Sequence, residues 1–234
     1  LQDVSFDVKE GEIFGLYGLV GAGRTELLET IFGVRTRAAG RVYFNNRLMN
    51  FSSAKEAMEH GFAMITEERK ANGLFLKGDL TFNTTIANLQ QYMSGIALSD
   101  AKMVKATSKE IKIMHTKCMG PDDMISSLSG GNQQKVCLAR ALTLEPDILF
   151  VSEPTRGIDI GAKKLVLEYL AKLNRETGMT VIIVSSELVE LRSISDRIAI
   201  ISDGKLSGIL KPDDSDADFG LAMSGTRKGG MEND

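Results

Sequence analysis

The feature that most constrains the fold is the unbroken run SSLSGGNQQKVCLARALTLEPDILFVSEPTRGID at residues 126–159. Its turn at 128–132 has two adjacent glycines, which let backbone amides approach an anion closely, and a helical pattern follows at once. The apolar run at 148–151 then ends at Ser152 and Glu153. Such a run is typical of a strand inside a parallel sheet, and open α/β sheets bind ligands at the carboxyl ends of their strands. The run therefore predicts an α/β fold with a phosphate-facing helix start and an acidic strand end.

A second glycine-rich turn lies near the amino end, at residues 18–25, between an apolar strand pattern and a helical pattern. Gly18, Gly23 and Thr25 fit the phosphate-loop pattern G-x-x-x-x-G-K-[ST], in which amides and the helix dipole hold phosphates while the hydroxyl holds magnesium. Arg24 stands at the lysine position and replaces a compact ammonium with a planar fork, so nucleotide is expected to bind with altered geometry. The alternative is a tight strand–helix turn without a ligand. The loop residues predicted to contact nucleotide are Gly18, Leu19, Val20, Gly21, Ala22, Gly23, Arg24, Thr25 and Glu26.

Composition excludes several classes of protein. The chain has 234 residues, of which 43% are hydrophobic and 25% charged, so it can bury one substantial core, and no linker marks a second domain. A net charge of -3 gives no electrostatic footprint for nucleic acid, and no nucleic-acid partner is expected. Cys118 and Cys137 form neither a metal-ligand spacing nor a disulfide framework, which suits a reducing cytoplasm. No apolar run approaches membrane-spanning length.

Shorter patterns complete the predicted fold. Alternating apolar residues at 4–16 predict an opening hairpin, which the strand at 41–44 is expected to join in a small antiparallel layer. Residues 82–118 show helical spacing and predict a helical subdomain. The chain has no initiator Met and opens in mid-strand at Leu1, so we expect a fragment of a longer polypeptide.

The order LSGG, helix, apolar strand, Glu-Pro-Thr and Gly-x-Asp resembles the ATP-binding-cassette (ABC) ATPases, with their signature loop, Walker B strand and D-loop. The segments GLVGAGRTEL, TEERK, LSGGNQQKV, EPTRGIDIGAK and VSSEL extend this resemblance over essentially the whole chain. They resemble the second, C-terminal ABC domain of bacterial monosaccharide importers, most of all the galactose/methyl-galactoside branch. Without its flanking motifs, the TEERK run would be interpreted as a solvated charge run.

The resemblance implies an ABC-type P-loop NTPase fold with a mostly parallel core sheet, an antiparallel β layer and an α-helical subdomain. We expect a single nucleotide-binding domain at residues 1–212 and a C-terminal tail at 213–234. Within the domain, the core is expected at 1–66 and 136–212 and the helical subdomain at about 67–135.

Four positions depart from the family's pattern. Arg24 replaces the Walker A lysine, and Glu67 replaces a glutamine that reaches the magnesium and the attacking water. Ser152 replaces an aspartate that holds magnesium through water, and Ser186 replaces a histidine that reaches the γ-phosphate. Glu153 remains to orient an attacking water, but hydrolysis at this domain's own Walker A site is expected to be badly compromised. The resemblance thus implies Glu153, Glu67 and Ser186 at catalytic positions, and Thr25 and Ser152 as ligands of Mg2+.

The signature loop is intact at Ser129, Gly130, Gly131 and Asn132, and Asp159 belongs to the D-loop. In the family, ABC domains pair head to tail, and each signature loop covers the nucleotide held by the other domain. The resemblance therefore implies that this domain completes a competent site supplied by its partner, as the regulatory half of an asymmetric ATPase pair.

The cofactors implied are ATP and Mg2+. The partners implied are an N-terminal ABC domain of the same polypeptide, membrane permease subunits and, indirectly, a periplasmic or extracellular sugar-binding protein. The domain would lie peripherally on the cytoplasmic face of the cell membrane and power monosaccharide uptake. One alternative is a nucleotide-binding ABC scaffold in a non-transport protein, and another is a metabolic P-loop kinase, which LSGGNQQK and the D-loop disfavour.

Overall fold

A computed structural model describes residues 3–225 of the chain. Contacts between Cα atoms divide it into two compact units. The first contains the described residues up to Ala57 and from Ala171 onward, and the second is Met58–Leu170. The predicted start of the chain in mid-strand at Leu1 lies outside the described residues, as does the end of the predicted tail, 226–234.

Residues 3–225 form strands and helices in a mixed order. The strands are β1 (Ile13–Gly18), β2 (Val42–Phe44), β3 (Arg47–Met49), β4 (Phe62–Ile65), β5 (Met93–Ser94), β6 (Ala97–Leu98), β7 (Ile148–Ser152), β8 (Thr180–Val184), β9 (Arg197–Ser202) and β10 (Lys205–Leu210). The α-helices are α1 (Arg24–Ile31), α2 (Ala54–Glu59), α3 (Leu80–Thr85), α4 (Asp100–Ile113), α5 (Gly130–Leu142), α6 (Ile160–Thr177), α7 (Leu188–Ile194) and α8 (Asp216–Met223). A π-helical turn occupies Arg69–Gly73, and two 3-10 segments occupy Ile86–Tyr92 and Ile125–Ser127.

Four strands of the first unit lie in the order β10–β9–β1–β8. β1 pairs in parallel with β8 on one edge and with β9 on the other, and β10 pairs antiparallel with β9. β8 is buried along its whole length, which agrees with its continuous apolar sequence. The turn from β9 to β10 places Asp203 and Gly204 in the left-handed region, at φ 48° and 73°, as a tight hairpin requires.

The predicted opening hairpin is wrong. Among the described residues, no strand precedes β1, and β2 pairs only with β3 through a turn at Asn45 and Asn46, whose φ values are 49° and 60°. The reason lies in β1, both of whose edges are already occupied by β8 and β9, so no third strand can pair with it. The Glu10-Gly11 turn does form, and the amide of Glu12 donates to the carbonyl of Lys9 at 3.2 Å.

The second unit pairs β4 in parallel with β7 and packs α5 against α3 and β4. Its helical region, predicted at 82–118, is interrupted. Asn88 leaves helical geometry at φ -140°, and the hairpin of β5 and β6 turns at Gly95, where φ is 65°. Ser99 then begins α4, with its hydroxyl accepting from the amide of Lys102 at 3.4 Å.

The described part of the predicted tail carries α8, which packs on β9 and β10 in the first unit. Phe219 is buried, and the Arg192 guanidinium lies 4.5 Å from the centre of its ring. The hydroxyl of Ser202 donates to the carbonyl of Met223 at 2.8 Å. No helix within residues 3–225 combines the length and the apolar composition needed to cross a bilayer.

A partly buried ion pair ties the residue before β1 to the start of β9. Arg197 donates to the Glu12 carboxylate at 2.6 and 2.9 Å, and its guanidinium lies 5.2 Å from the centre of the Phe14 ring. Burial raises the pKa of the Glu12 carboxyl, but hydrogen bonds from Arg197 and from the Lys9 amide outweigh it and hold that pKa below its ordinary value of 4.5. The pair therefore stabilises the fold while Glu12 is ionised.

We predict that Glu12→Gln lowers the free energy of unfolding at pH 7 by about 1–3 kcal/mol, because it leaves Arg197 without its buried partner. The Glu12 contribution is fully present above pH 4.5 and is lost as the pH falls through the lower pKa of the folded protein. Urea unfolding of both proteins from pH 7 to pH 3 checks this, and the difference should shrink on acidification. Asp7→Asn is the matched control, since Asp7 contacts the same arginine but is 79% exposed and should cost under about 1 kcal/mol. An equal Glu12→Gln deficit at both pH values would contradict the prediction.

Candidate functional site

The glycine-rich loop of the first unit follows β1 and leads into α1. Gly21 and Gly23 have φ values of 84° and 87°, which favour glycine, and the amide of Ala22 donates to the carbonyl of Leu19 at 3.0 Å to close the turn. A Cβ at Gly18 would lie 2.3 Å from the carbonyl oxygen of Ile201, so only glycine fits there. Sequence and structure thus agree on a tight strand–loop–helix turn at residues 18–25.

Helix α1 begins without a side-chain cap, because its N-cap residue is Gly23. The first amides of a helix have no partner within the helix, and an anion can satisfy them. Thr25 and Glu26 stand in the first turn, and Leu19 and Val20 of the preceding loop are 69% and 87% exposed. The loop therefore has the backbone geometry of a phosphate cradle, with an acidic side chain in its first helical turn.

Arg24, at the lysine position of the phosphate loop, is only 5% exposed. Its Nη1 donates to the carbonyl of Ser185, the residue after β8, at 2.8 Å. The Ser185 hydroxyl donates to a carboxylate oxygen of buried Glu190 at 2.8 Å. Ser185 therefore links the Arg24 guanidinium to the Glu190 carboxylate. Ser186, predicted at the family's histidine position, is the exposed next residue, so Arg24 contacts the backbone immediately before it.

In the second unit, β7 delivers Ser152 and Glu153 to its carboxyl end, as predicted. Ser152 is fully buried. Glu153 has a φ of 46°, which a residue with a side chain adopts only at a cost of order 1–3 kcal/mol. The amide of Arg156 donates to the carbonyl of Glu153 at 3.1 Å and closes the turn. Turn residues such as Asn45 and Asp203 have similar φ values, so the angle marks a tight turn after β7, which the sequence did not predict.

Glu67 follows β4 and precedes the π-helical turn. Its carboxylate accepts a hydrogen bond from Arg156, and Glu68 lies 3.2 Å from the same guanidinium. Arg69 donates from Nη1 to the carbonyl of Arg156 at 2.6 Å and from Nη2 to that of Gly157 at 3.2 Å. Sequence reasoning missed Arg69 and Arg156, since only their charges were visible and not the pairing of loops 87 residues apart.

The signature segment, residues 129–132, forms the start of α5, with Ser129 as N-cap residue. The Ser129 hydroxyl accepts from the side-chain amide of Asn132 at 3.0 Å, and Asn132 in turn accepts from the amide of Lys117 at 3.0 Å. A Cβ on Gly131 would lie 2.8 Å from the Cβ of Ala162. The segment is therefore fixed by close backbone approach as well as by side-chain hydrogen bonds.

Asp159 of the predicted D-loop begins α6. Its carboxylate accepts from the amide of Ala162 at 2.9 Å, and its carbonyl accepts from the amide of Lys163 at 2.9 Å. The structure thus assigns Asp159 a capping contact beside Gly131, whose close neighbour is the same Ala162. Asp159 and the signature segment consequently lie on adjoining turns of the second unit.

Each unit holds part of the predicted site. The first contains residues 18–26 and 186, and the second contains Glu67, Ser152, Glu153, Asp159 and the signature segment. Within residues 3–225, no group of three or more histidine, cysteine, aspartate or glutamate side chains has metal-site geometry. The predicted ligands of Mg2+, Thr25 and Ser152, offer hydroxyls instead of carboxylates.

A family model described as ABC transporter matches residues 1–156. The galactose/methyl galactoside import ATP-binding protein MglA of Treponema denticola is 49% identical over 224 residues, which are 96% of this chain and 45% of that protein. MglA of Escherichia coli K12 is 45% identical over 211 residues, which are 90% of this chain and 42% of that protein. The chain thus spans less than half the length of these relatives.

Solved structures show the same fold. The ATP-binding cassette MJ0796 bound to ADP and Pi, in a dimeric post-hydrolysis state, is 26% identical with a TM-score of 0.78, over 92% of this chain and 91% of that one. Another dimeric structure of MJ0796, described as a bacterial ABC transporter cassette, is 27% identical with a TM-score of 0.76 over the same shares. The predicted fold class is therefore confirmed. With a family model over two thirds of its length, a glycine loop after β1 and a signature segment at the start of α5, the chain belongs to the ABC transporter family.

Proposed function

We propose that this chain is a nucleotide-binding domain of an ABC importer for galactose-like monosaccharides, and that it couples ATP binding and hydrolysis to sugar uptake. Relatives 45–49% identical over most of the chain are named galactose/methyl galactoside import ATP-binding proteins, which supports the transport role and the sugar class. Its partners would be an N-terminal ABC domain of the same polypeptide, membrane permease subunits and a sugar-binding protein outside the membrane. The domain would lie on the cytoplasmic face of the membrane.

The observation that carries the asymmetric role of this domain is a contrast between its glycine loop and its signature segment. Arg24 is buried and donates to the carbonyl of Ser185, within the protein. Ser129 is exposed at the uncapped start of α5, and Gly130 and Gly131 follow it. The first arrangement weakens this domain's own nucleotide site, whereas the second leaves a helix start available to a phosphate.

At its own site, the glycine loop fits the phosphates of ATP, because Gly21 and Gly23 already have the required backbone geometry. Mg2+, when bound, would neutralise charge on the β- and γ-phosphates. Thr25 would hold it with a neutral hydroxyl, so the nucleotide itself would supply the anionic ligands. We infer that this site retains nucleotide better than it hydrolyses it.

At the partner's site, residues 129–132 would cover the γ-phosphate of a nucleotide bound by the other domain. Phosphoryl transfer requires positioning and charge stabilisation more than covalent chemistry from the protein. The Ser129 hydroxyl, the amides of the two glycines and the dipole of the 13-residue helix α5 supply both. The domain would thus contribute directly to catalysis without performing it at its own glycine loop.

Co-purification separates this proposal from that of an ABC scaffold in a non-transport protein. The full-length polypeptide that carries this chain should be recovered from detergent-solubilised membranes together with a permease. Recovery only from the soluble fraction, with no membrane protein bound, would favour the scaffold.

We predict that this chain alone hydrolyses ATP at a barely detectable rate and that Arg24→Lys does not rescue it. A lysine would lose the guanidinium contact with Ser185 and would still face three altered positions. Phosphate release should be compared with that of the quadruple reversion Arg24→Lys, Glu67→Gln, Ser152→Asp and Ser186→His. Robust turnover by the unmodified chain without a partner would contradict the prediction.

We also predict that Ser129→Arg damages the assembled importer more than Thr25→Ala does. The arginine would displace the amides that face the partner's γ-phosphate, and steady-state ATPase activity should fall by about a hundredfold or more. Thr25→Ala removes one hydroxyl ligand from a weakened site, so nucleotide retention should fall while a substantial part of turnover remains.

Both variants should be assayed in reconstituted importer at matched expression. Ser126→Arg is the control, because it places the same side chain at an exposed position before the signature segment. If Thr25→Ala abolishes turnover while Ser129→Arg is tolerated, hydrolysis takes place at this domain's own glycine loop, and the proposal of an asymmetric pair is wrong.

A further inference from the structure

We propose that Glu67, Arg69 and Arg156 form a reciprocal clasp whose function is to position the signature segment and the D-loop. The clasp consists of the side chains of these three residues and the backbone carbonyls of residues 156 and 157. All three act as positioning residues. The inference rests on the proposed function, since it concerns how the donated half of the site is held in shape.

Two arginines cross between the same two loops in opposite directions. Arg69 reaches from the π-helical turn to the carbonyls of Arg156 and Gly157, at 2.6 and 3.2 Å. Arg156 reaches back and pairs with the carboxylate of Glu67, while Glu68 lies 3.2 Å from it. Because each loop supplies both a guanidinium and its acceptor, neither loop can shift without breaking contacts in both directions.

The signature segment packs closely against the same guanidinium. A Cβ on Gly130 would lie 2.8 Å from Nη2 of Arg69 and 3.0 Å from the carbonyl oxygen of Gly157. The backbone of Gly130 therefore packs directly against the hydrogen bond between Arg69 and Gly157. One side chain, that of Arg69, therefore lies against both the first residue of α5 and the backbone of the D-loop.

The ion pair is too exposed to serve mainly as a source of stability. The side chains of Arg156 and Glu67 are 56% and 29% exposed, and pairs at such positions contribute little to folding free energy. Fixed geometry is the better explanation, because a guanidinium offers several donors in a rigid plane. Arg69 in particular uses two donors on two successive carbonyls, which a single ammonium on a flexible stem would hold less rigidly.

The clasp also explains why a glutamate is useful at position 67. A carboxylate pairs with the Arg156 cation by charge as well as by hydrogen bond, whereas a glutamine amide would offer only a neutral oxygen. Restoring the family's glutamine would therefore remove one anchor of the D-loop. The departure at Glu67 weakens this domain's own site and strengthens the half that it donates.

The first test measures loop order in this chain alone, by hydrogen exchange of peptides covering residues 128–134 and 154–159. Arg69→Gln should speed exchange in both peptides by about tenfold, since it releases both carbonyls and the Gly130 contact. Lys70→Gln is the matched control, because it removes a neighbouring exposed charge outside the clasp. Unchanged exchange in Arg69→Gln would overturn the clasp, whatever the fate of the transport proposal.

The second test uses steady-state ATPase activity of the assembled importer. Glu67→Gln and Arg156→Glu should each lower kcat about tenfold or more by misplacing the signature segment, while KM for ATP stays nearly constant because the partner's glycine loop holds the nucleotide. The charge swap Glu67→Arg with Arg156→Glu should recover most of kcat. The swap and its single variants are made in a Glu68→Gln background, because Glu68 also faces residue 156.

The two proposals fail in different ways. If Ser129→Arg leaves turnover intact, the proposal that the signature segment acts at the partner's site is wrong. If Ser129→Arg abolishes turnover but the swap is no better than its single variants, or if Glu67→Gln raises kcat, the clasp is wrong and Glu67 acts at its own magnesium site.

Discussion

Strand β1 has a parallel neighbour on each edge, and both neighbours come from the carboxyl-terminal part of the chain. This pairing fixes the carboxyl end of β1, where the glycine loop begins, between β8 and β9. The approach of Gly18 to the carbonyl of Ile201 follows from the register with β9, and the reach of Arg24 to Ser185 follows from that with β8. The geometry of the phosphate loop is therefore set by contacts more than 160 residues away in sequence.

Arginines do similar work in both units, although they occupy different loops. Arg24 in the first unit and Arg69 in the second each direct guanidinium donors at backbone carbonyls of a loop that follows a buried strand. A loop carbonyl that has no ladder partner is a strong acceptor, and a cation satisfies it at short distance. Both loops are held by side chains of the protein.

The predicted departures from the family's catalytic pattern acquire a physical meaning in this setting. The Nη1 donor of Arg24 that binds the carbonyl of Ser185 cannot bind a phosphate at the same time. The Glu67 carboxylate likewise has a cationic partner in Arg156. The signature segment, by contrast, keeps a hydroxyl and two glycines at a helix start. Under the proposed function, the domain hydrolyses ATP poorly at its own glycine loop and holds in fixed geometry the signature segment that it contributes to its partner's site.

The sequence by itself determined the fold class, the strand–glycine loop–helix turn at 18–25 and the helix start at Gly130, because each depends on local patterns of glycine and apolar residues. Whether the predicted site residues act as assigned stays a prediction. Only the tertiary structure decided that β8 and β9 occupy the two edges of β1, that Glu153 takes a positive φ, and that Arg69 and Arg156 join two loops. These features depend on which distant segments meet at an edge or a loop. A charge in a run such as TEERK has the same appearance in sequence whether it faces water or another loop's backbone.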